Sequence, residues 1–312
     1  MNAPAPAIAV VGSLNMDLVI RAPRIPRPGE TVLGGDMARF PGGKGANQAA
    51  AAARLGARTA MIGRVGDDEF GAALRETMTC AGVDVSKLIA TAATPSGVGM
   101  IFVGPDGQNA IAVASGANAR VTPADVDAAG DVIRASRVCL LQLEIPLETV
   151  VYTLRCCRRL GVTTVLDYAP APGDPPAGLV EADVVSPNEH EAAEMLGLDP
   201  HVEHDPRLLA DGIRARGARC VVLKLGARGA LWQDERETIH TPAVRIRPVD
   251  TTAAGDAFTA ALAVSLANGG GAGASLRFAN AAGAAACLTM GAMPSMPDRA
   301  KVEQLSRECG GS

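Results

Sequence analysis

Aromatic residues are scarce in this sequence of 312 residues: only 3% are Phe, Tyr or Trp, whereas 48% are hydrophobic and 20% are charged. Proteins that bind nucleic acids use aromatic side chains for stacking and an excess of Lys and Arg for the phosphates. This chain has 29 Lys and Arg against 33 Asp and Glu, a formal net charge of −4. Since it lacks both features, we predict no nucleic-acid partner.

Disulfide, zinc and targeting patterns are missing as well. The seven cysteines are odd in number and contain no C-x-x-C spacing, which is typical of a reducing, cytoplasmic environment. The N-terminal residues show no basic segment followed by a long apolar run, so no secretory signal is predicted. Two uncharged runs at 257–276 and 278–297 are rich in Ala and contain Gly, Asn or Ser. These runs predict buried helices and no membrane span.

The apolar pattern alternates strand-length and helix-length segments along much of the chain. Strands are predicted at 8–11, 59–64, 138–143, 163–167, 183–186 and 220–224, and helices at 68–81, 147–160, 189–196 and 206–216. This alternation predicts an α/β fold with a central, mostly parallel sheet and helices on both faces. No repeat or low-complexity linker divides the chain, so residues 1–312 are predicted to form a single domain.

Two segments interrupt this alternation with strand-like residues and turn residues. They lie at about 18–40 and 97–114, and the second contains a predicted hairpin with strands at 97–103 and 109–114. Together they predict a small β-sheet that is separate from the body. The apolar face of such a sheet has to cover either an active-site cleft or a second subunit.

The stretch Asp250–Phe258 predicts a strand-to-helix turn with room for an anion. Residues 244–249 alternate as the end of a strand would, and 257–266 form an apolar run of helical length. Small residues at 253–255 leave N–H groups uncovered at the helix N-terminus, where a phosphoryl group is favoured. Asp256 then suits a general base for an attacking hydroxyl. The alternative is that Asp256 merely caps the helix.

A second glycine-rich stretch, residues 41–48, precedes an Ala-rich helix that ends near Gly56. It lacks the Walker A pattern. Lys44 and Asn47 are three residues apart, so both can face one side of the first helical turn and bind sugar hydroxyls. The alternative is a solvated helix start.

Polar residues also follow several predicted strands. Asn15 and Asp17 follow the first strand, where they either bind a ligand or form a turn. The glycines and the basic residues Lys224 and Arg228 within 224–229 predict either a site for nucleotide phosphates or a plain β-turn. Three further polar residues stand at positions suited to the crevice of an α/β sheet, namely Glu144, Asn188 and Glu191.

Residues 42–48 and 250–258 together resemble the two signature motifs of the ribokinase-like (pfkB) carbohydrate kinases, and the order of elements matches that family over nearly the whole chain. The resemblance implies ATP-dependent phosphorylation of a sugar, with D-ribose at O5 as the expected reaction. Fructose, another sugar or a nucleoside remains an alternative substrate, and a non-catalytic sugar-binding protein remains an alternative function. The family's small β-sheet lid covers the sugar and often joins a homodimer, and it is expected at the segments near 18–40 and 97–114.

The resemblance also implies a role for individual residues. The base would be Asp256, with an anion hole formed by the backbone of Ala253, Ala254, Gly255 and Asp256, and sugar contacts would come from Asn15, Asp17, Gly43, Lys44, Asn47, Glu144 and Asp256 itself. ATP and Mg²⁺ would lie near Asn188, Glu191, Lys224, Gly226, Arg228, Gly229 and Asn280. A K⁺ site would involve Asp250, Thr252, Ala286, Thr289, Gly291 and Ser295. The chain departs from the family at Lys224, where a threonine is usual.

Overall fold

The computed structural model describes residues 7–105, 108–173 and 175–308. The strands in these residues are β1 (Ala7–Val11), β2 (Asn15–Arg21), β3 (Met37–Gly42), β4 (Arg58–Gly66), β5 (Asp84–Thr91), β6 (Gly97–Val103), β7 (Asn109–Ala114), β8 (Val138–Leu141), β9 (Thr163–Asp167), β10 (Val184–Ser186), β11 (Cys220–Lys224), β12 (Ala230–Gln233) and β13 (Thr238–Thr241). The helices are α1 (Lys44–Arg54), α2 (Glu69–Cys80), α3 (Pro123–Ala128), α4 (Gly130–Ala135), α5 (Leu147–Leu160), α6 (Glu189–Leu196), α7 (Pro206–Ala215), α8 (Ala254–Ala267), α9 (Ala272–Ala286) and α10 (Arg299–Glu308).

The large sheet has the strand order β13-β12-β11-β10-β9-β8-β1-β4-β5. Neighbouring strands from β11 to β5 are parallel, whereas β12 and β13 add an antiparallel edge. The predicted α/β fold with a mostly parallel sheet is therefore confirmed. Because the strands are parallel, their carboxyl ends meet at one edge, where open α/β sheets bind ligands.

Helices cover both faces of this sheet, and the alternation along β1 shows how. Ile8 and Val10 belong to the hydrophobic core that contains α1, α2, α8, α9 and α10. Ala9 and Val11 belong to the second core, which contains α3 to α7. Successive side chains of a strand point to opposite faces, so one apolar run serves both layers. Among the described helices, none is long and apolar enough to cross a membrane.

A smaller sheet with the order β3-β2-β6-β7 stands apart from the large one. Its central strands β2 and β6 are parallel, and β3 and β7 pair antiparallel at the edges. The predicted hairpin has the expected strands, and its tip at 106–107 lies outside the described residues. Asn15 and Asp17 lie on β2 itself, so the alternative that they form a turn after the first strand is wrong. We call this sheet the lid.

The strand predicted at residues 244–249 is wrong, because the structure has irregular backbone from 242 to 253. The sheet ends instead with the hairpin of β12 and β13, which the sequence analysis did not predict. Asn280 donates to the carbonyl oxygens of Thr241 and Pro242 at 3.1 and 3.2 Å and thereby directs the chain away from the sheet edge. Pro248 has no N–H to donate to a further strand.

Candidate active site

The predicted site residues converge at the carboxyl edge of the large sheet. Glu144 follows β8, Asn188 follows β10, and Lys224 ends β11. Helix α1, which carries Lys44 and Asn47, packs on α8, which carries Asp256. Parallel strands and two helix N-termini thus bring together residues that are far apart in the sequence.

Asp256 lies buried in the first turn of α8. The Nδ2 of Asn47 donates to Oδ2 of Asp256 at 2.9 Å, and Nε2 of Gln48 donates to Oδ1 at 3.0 Å. Both oxygens are engaged by helix α1, so the interpretation of Asp256 as a cap of its own helix does not hold. Burial raises the pKa of Asp256 to about 6, the charge of Asp167 adds to this, and Lys44 and the two amides oppose it. A base with this pKa is ionised at neutral pH and still able to take a proton.

The N-terminus of α8 is open toward this carboxylate. Ala253, the residue before the helix, has a left-handed φ of 58° and offers no side-chain cap, a backbone conformation that is unfavourable for alanine and typical of functional sites. The N–H of Ala254 donates to the carbonyl oxygen of Thr251 at 3.3 Å. Of the predicted anion-hole residues, Gly255 and Asp256 are therefore the better placed N–H donors, and Ala254 is partly engaged.

A buried ion pair lies beside this helix start. The Nζ of Lys224 bonds to Oδ1 of Asp167, and their side chains are only 12% and 2% exposed. The Nζ also lies 3.8 Å from the position that a Cβ of Gly255 would take. Asp167 was missed by the sequence analysis, although it ends β9 in the way that Glu144 follows β8. The same reasoning about strand ends would have found it.

Glu144 fixes the start of α1. Its Oε2 accepts from the hydroxyl of Ser13 at 2.5 Å and from the backbone N–H of Lys44 at 3.0 Å. Burial disfavours the ammonium of Lys44, but nearby carboxylates outweigh it and raise the pKa of Lys44 above its ordinary value. Lys44 therefore stays charged at the centre of the cluster. The carboxylates that act on it are Asp256, Asp167, Glu144 and Glu191.

Asp17 projects from the lid toward the same cluster. Cβ atoms at Gly42 or Gly99, on the two neighbouring strands, would overlap its carboxyl oxygens, so glycine makes room for the carboxylate at both positions. Burial raises the pKa of Asp17 to about 7, and the charges of Glu144 and Asp256 add to this effect. An unbound Asp17 is thus only partly ionised at neutral pH, and hydroxyl donors from a ligand would favour its charged form.

A cavity of about 370 Å³ opens between the lid and the sheet edge, and Asn15, Glu144 and Pro170 line it. Asn15 is held by Asn118, whose Nδ2 donates to its Oδ1 at 2.7 Å. The Oδ1 of Asn47 is buried without a hydrogen-bond partner among the described residues. Because buried polar atoms are normally paired, Asn47 is free to accept from a bound hydroxyl.

The residues predicted for the nucleotide lie in three places: at the start of α6, in the turn after β11 and on α9. Asn188 and Glu191 form a reciprocal capping box at the start of α6, with bonds of 2.7 and 2.8 Å. Gly229 has a φ of 94°, and a Cβ there would overlap the carbonyl oxygen of Thr241. Arg228 pairs with Glu189 and lines a second cavity of about 650 Å³. Asn280, by contrast, does not line this cavity. It donates a hydrogen bond to the carbonyl oxygen of Pro242, a residue that does line it.

The residues predicted for a monovalent cation lie in two adjoining segments. The Oδ2 of Asp250 accepts from the N–H of Gly291 at 2.8 Å, and Oδ1 accepts from the hydroxyl of Thr252 at 2.7 Å. The N–H of Val249 donates to the carbonyl oxygen of Cys287 at 2.8 Å. These bonds join the loop before α8 to the segment 286–295, which contains Ala286, Thr289 and Ser295. In the part of the chain that the structure describes, no three His, Cys, Asp or Glu side chains are grouped to hold a metal ion.

Comparison with known proteins identifies the family. Residues 5–299 match the family described as pfkB family carbohydrate kinase. The chain belongs to the pfkB family of carbohydrate kinases. The ribokinase of Bacillus subtilis (strain 168) is 38% identical over 298 residues, which cover 96% of this chain and 98% of the relative. The resemblance of the two glycine-rich motifs to this family is thereby confirmed.

Two further relatives bear on the substrate. A structure of Arabidopsis thaliana ribokinase complexed with ribose and ATP superimposes with a TM-score of 0.88 at 32% identity, covering 97% of this chain and 99% of that one. A deoxyribokinase of Salmonella typhi is 34% identical over 252 residues, 80% of this chain and 82% of the relative. Pentose kinases of more than one specificity are therefore similar to this chain.

Proposed function

We propose that the protein catalyses the ATP-dependent phosphorylation of D-ribose at O5. The observation that carries the proposal is Asp256, a buried carboxylate held by two amides at the open N-terminus of α8. Relatives named ribokinase over nearly the full length support the choice of sugar. A non-catalytic sugar-binding protein would not require a base and an anion-binding helix start together.

The chain supplies a base, an anion hole and positioning groups. Asp256 takes the proton of the attacking hydroxyl, while the N–H groups at the start of α8 stabilise the charge on the transferring phosphoryl group. Asp17, Asn15, Lys44, Asn47 and Glu144 orient the sugar, with Gly43 allowing close approach. The nucleotide phosphates are bound by the ammonium of Lys224 and by the backbone at Gly226 and Gly229. Bound Mg²⁺ would neutralise phosphate charge, and Asn188 with Glu191 would place it.

The test is an ADP-release assay over ribose, 2-deoxyribose, fructose, other pentoses and nucleosides. Ribose is expected to give the highest kcat/KM. 2-Deoxyribose should be about tenfold to a hundredfold poorer, because the missing hydroxyl leaves a buried polar group without a partner. A nucleoside, fructose or 2-deoxyribose with a higher kcat/KM than ribose would contradict the substrate, and binding without ADP release would contradict the activity.

We further propose that K⁺ activates the enzyme from the loop before α8. Its ligands would be oxygen atoms of the two segments that Asp250 and Gly291 join, a donor type that suits a hard cation. Because this loop leads into the anion hole, K⁺ should raise kcat more than it changes the KM for the sugar. The assay is repeated in K⁺ and in tetramethylammonium at equal ionic strength, and equal rates in both would contradict the site.

The lid is proposed to join two copies of the chain. Ile111 and Val113 are 56% and 49% exposed, and the strand register places both on the face that carries Asp17. A second lid would cover these apolar side chains. Light scattering is expected to give a dimer for the wild type and a monomer for Ile111→Asp. A monomeric wild type at assay concentration would contradict the interface.

Asp17→Asn is expected to stabilise the protein while it impairs sugar binding. The folded pKa of about 7 lies above the ordinary value of 3.8 for an aspartate, so the ionised carboxylate destabilises the fold, increasingly as pH rises from about 4 to 7. The variant should gain about 1 to 3 kcal/mol in free energy of unfolding at pH 8 and nothing near pH 4. Its KM for ribose should rise at least tenfold, since the amide is a weaker acceptor. Equal stability of variant and wild type at pH 8 would contradict this account.

A further inference from the structure

Gln48 is the only glutamine among the described residues that bonds to Asp256, and its side chain is fully buried. Its Nε2 donates one hydrogen bond to Oδ1 of Asp256 at 3.0 Å and another to Oδ2 of Asp167 at 2.7 Å. An amide nitrogen has two hydrogens, so both are used. Two buried carboxylates thus share one donor group.

The orientation of this amide is fixed from its other side. The Nε2 of Gln142 donates to Oε1 of Gln48 at 2.6 Å. If the Gln48 amide turned over, its oxygen would face Asp256 and Asp167, and its nitrogen would face the Gln142 donor. Both contacts would then be repulsive, so Gln142 keeps the donors of Gln48 directed at the carboxylates.

We propose that Gln48 is a positioning residue that holds the carboxylate of Asp256 in one orientation and ties it to Asp167, with Gln142 fixing the amide of Gln48. This inference rests on the proposed kinase function, in which Asp256 is the base. Asn47 engages the other oxygen of Asp256 at 2.9 Å. Two amides from successive residues of α1 thereby leave the remaining lone pairs of Asp256 for the substrate hydroxyl.

The same bonds influence the protonation of the base. A hydrogen bond donated to a carboxylate favours its charged form, so the bond from Gln48 lowers the pKa of Asp256 against the raising effect of burial. Charged groups surround Asp256 on several elements, and of these only Asp167 loses a hydrogen bond when Gln48 is changed. The charges that act on Asp256 directly are those of Lys44 on α1, Asp17 on β2 and Asp167 at the end of β9. The same cluster contains Glu144 after β8, Glu191 on α6 and Lys224 at the end of β11, which act on Lys44 or Asp167.

The experiment compares pH profiles of kcat at saturating ribose, where the bound sugar keeps Asp17 charged, for the wild type and Gln48→Met, which keeps the side-chain length and removes both polar atoms. Activity requires the ionised base, so the wild-type profile should fall as pH falls through about 6. In Gln48→Met this acid limb should move upward by about one pH unit, and kcat on the plateau should drop by about tenfold. The KM for the sugar should change little, because the polar atoms of Gln48 are already engaged by Asp256, Asp167 and Gln142 and leave none for the sugar.

Two further variants complete the test. Gln142→Met should move the limb in the same direction by a smaller amount, and it carries the test if Gln48→Met does not fold. Gln233→Met is the matched control: Gln233 is also a buried amide that donates to a carboxylate, that of Asp211, but it lies on β12 outside the site. Its limb should stay at the wild-type pH.

If the acid limb of the pH profile stays at the wild-type pH in both Gln48→Met and Gln142→Met, the positioning role of Gln48 is overturned. A limb that moves equally in Gln233→Met would overturn it as well, since any buried amide would then act alike. Failure of the proposed function is distinguishable, because it would appear as absent ADP release in the wild-type enzyme.

Discussion

Asp256→Asn is expected to lower kcat by about 10² to 10⁴, the scale of a lost general base, and to leave sugar affinity nearly unchanged. The asparagine has the same shape but no basic oxygen for the hydroxyl proton. It can accept from either Asn47 or Gln48 but not from both, since its amide nitrogen would face one of the two donors. The lost hydrogen bond is offset in part by removal of a buried charge, so the fold should persist.

The measurement is single-turnover kinetics together with sugar binding by calorimetry. Asp131→Asn serves as the control, because Asp131 lies on the surface in an ion pair with Lys87 and should keep wild-type turnover. Wild-type kcat in Asp256→Asn would rule out Asp256 as the base. Loss of sugar binding with an intact chemical step would assign it to substrate recognition instead.

Breaking the ion pair between Lys224 and Asp167 is expected to lower the free energy of unfolding by about 3 to 5 kcal/mol, the range for a buried pair that loses one member. Both side chains are largely removed from water. Lys224→Met leaves the charge of Asp167 close to other carboxylates, so it should be the more harmful change. Asp167→Asn leaves Lys224 with the favourable charge of Glu191 and should be milder.

The double variant Lys224→Met/Asp167→Asn should recover much of this stability, because the charges of Lys224 and Asp167 are removed together, although Glu191 loses the favourable charge of Lys224. It should not recover turnover if Lys224 binds the nucleotide phosphates as proposed, since the ammonium is still missing. Denaturant unfolding of the four proteins gives the coupling energy, and strictly additive effects would contradict a specific pair. Arg158→Met is the matched control: its pair with Glu181 is 58% and 47% exposed and should contribute less than about 1 kcal/mol.

The periodicity of apolar residues predicted the helices and strands of the α/β body with few errors. Segments such as α5 and β9 have the predicted bounds, because a helix of 14 residues and a strand of five each carry a clear apolar pattern. Within the irregular segment at 242–253, residues 244–249 were predicted as a strand because Val and Ile alternate there with Arg. The segment does not add a strand to the outer edge of β13, and a pattern within one segment contains no information about which edge it will pair with.

The residues of the candidate site that lie in glycine-rich turns or at strand ends were predictable from the sequence. Lys44, Asn47, Glu144 and Asp256 were singled out by glycine-rich turns and strand ends, and the structure gathers them at one edge of the sheet. Their roles as base and sugar contacts stay predictions until the variants are measured. Gln48 and Asn118 were missed, because an amide in an Ala-rich helix or a 3₁₀ turn carries no signal of its own.

By itself, the sequence determined the family, the parallel sheet and the open helix start at residues 253–256, since each depends on local residue types and their spacing. Only the tertiary structure decided which groups surround Asp256. Its amides come from residues 47 and 48, more than two hundred positions away, and its neighbouring ion pair joins the ends of β9 and β11. The protonation of the base depends on burial and on charges that meet only when the chain is folded, and no local pattern records them.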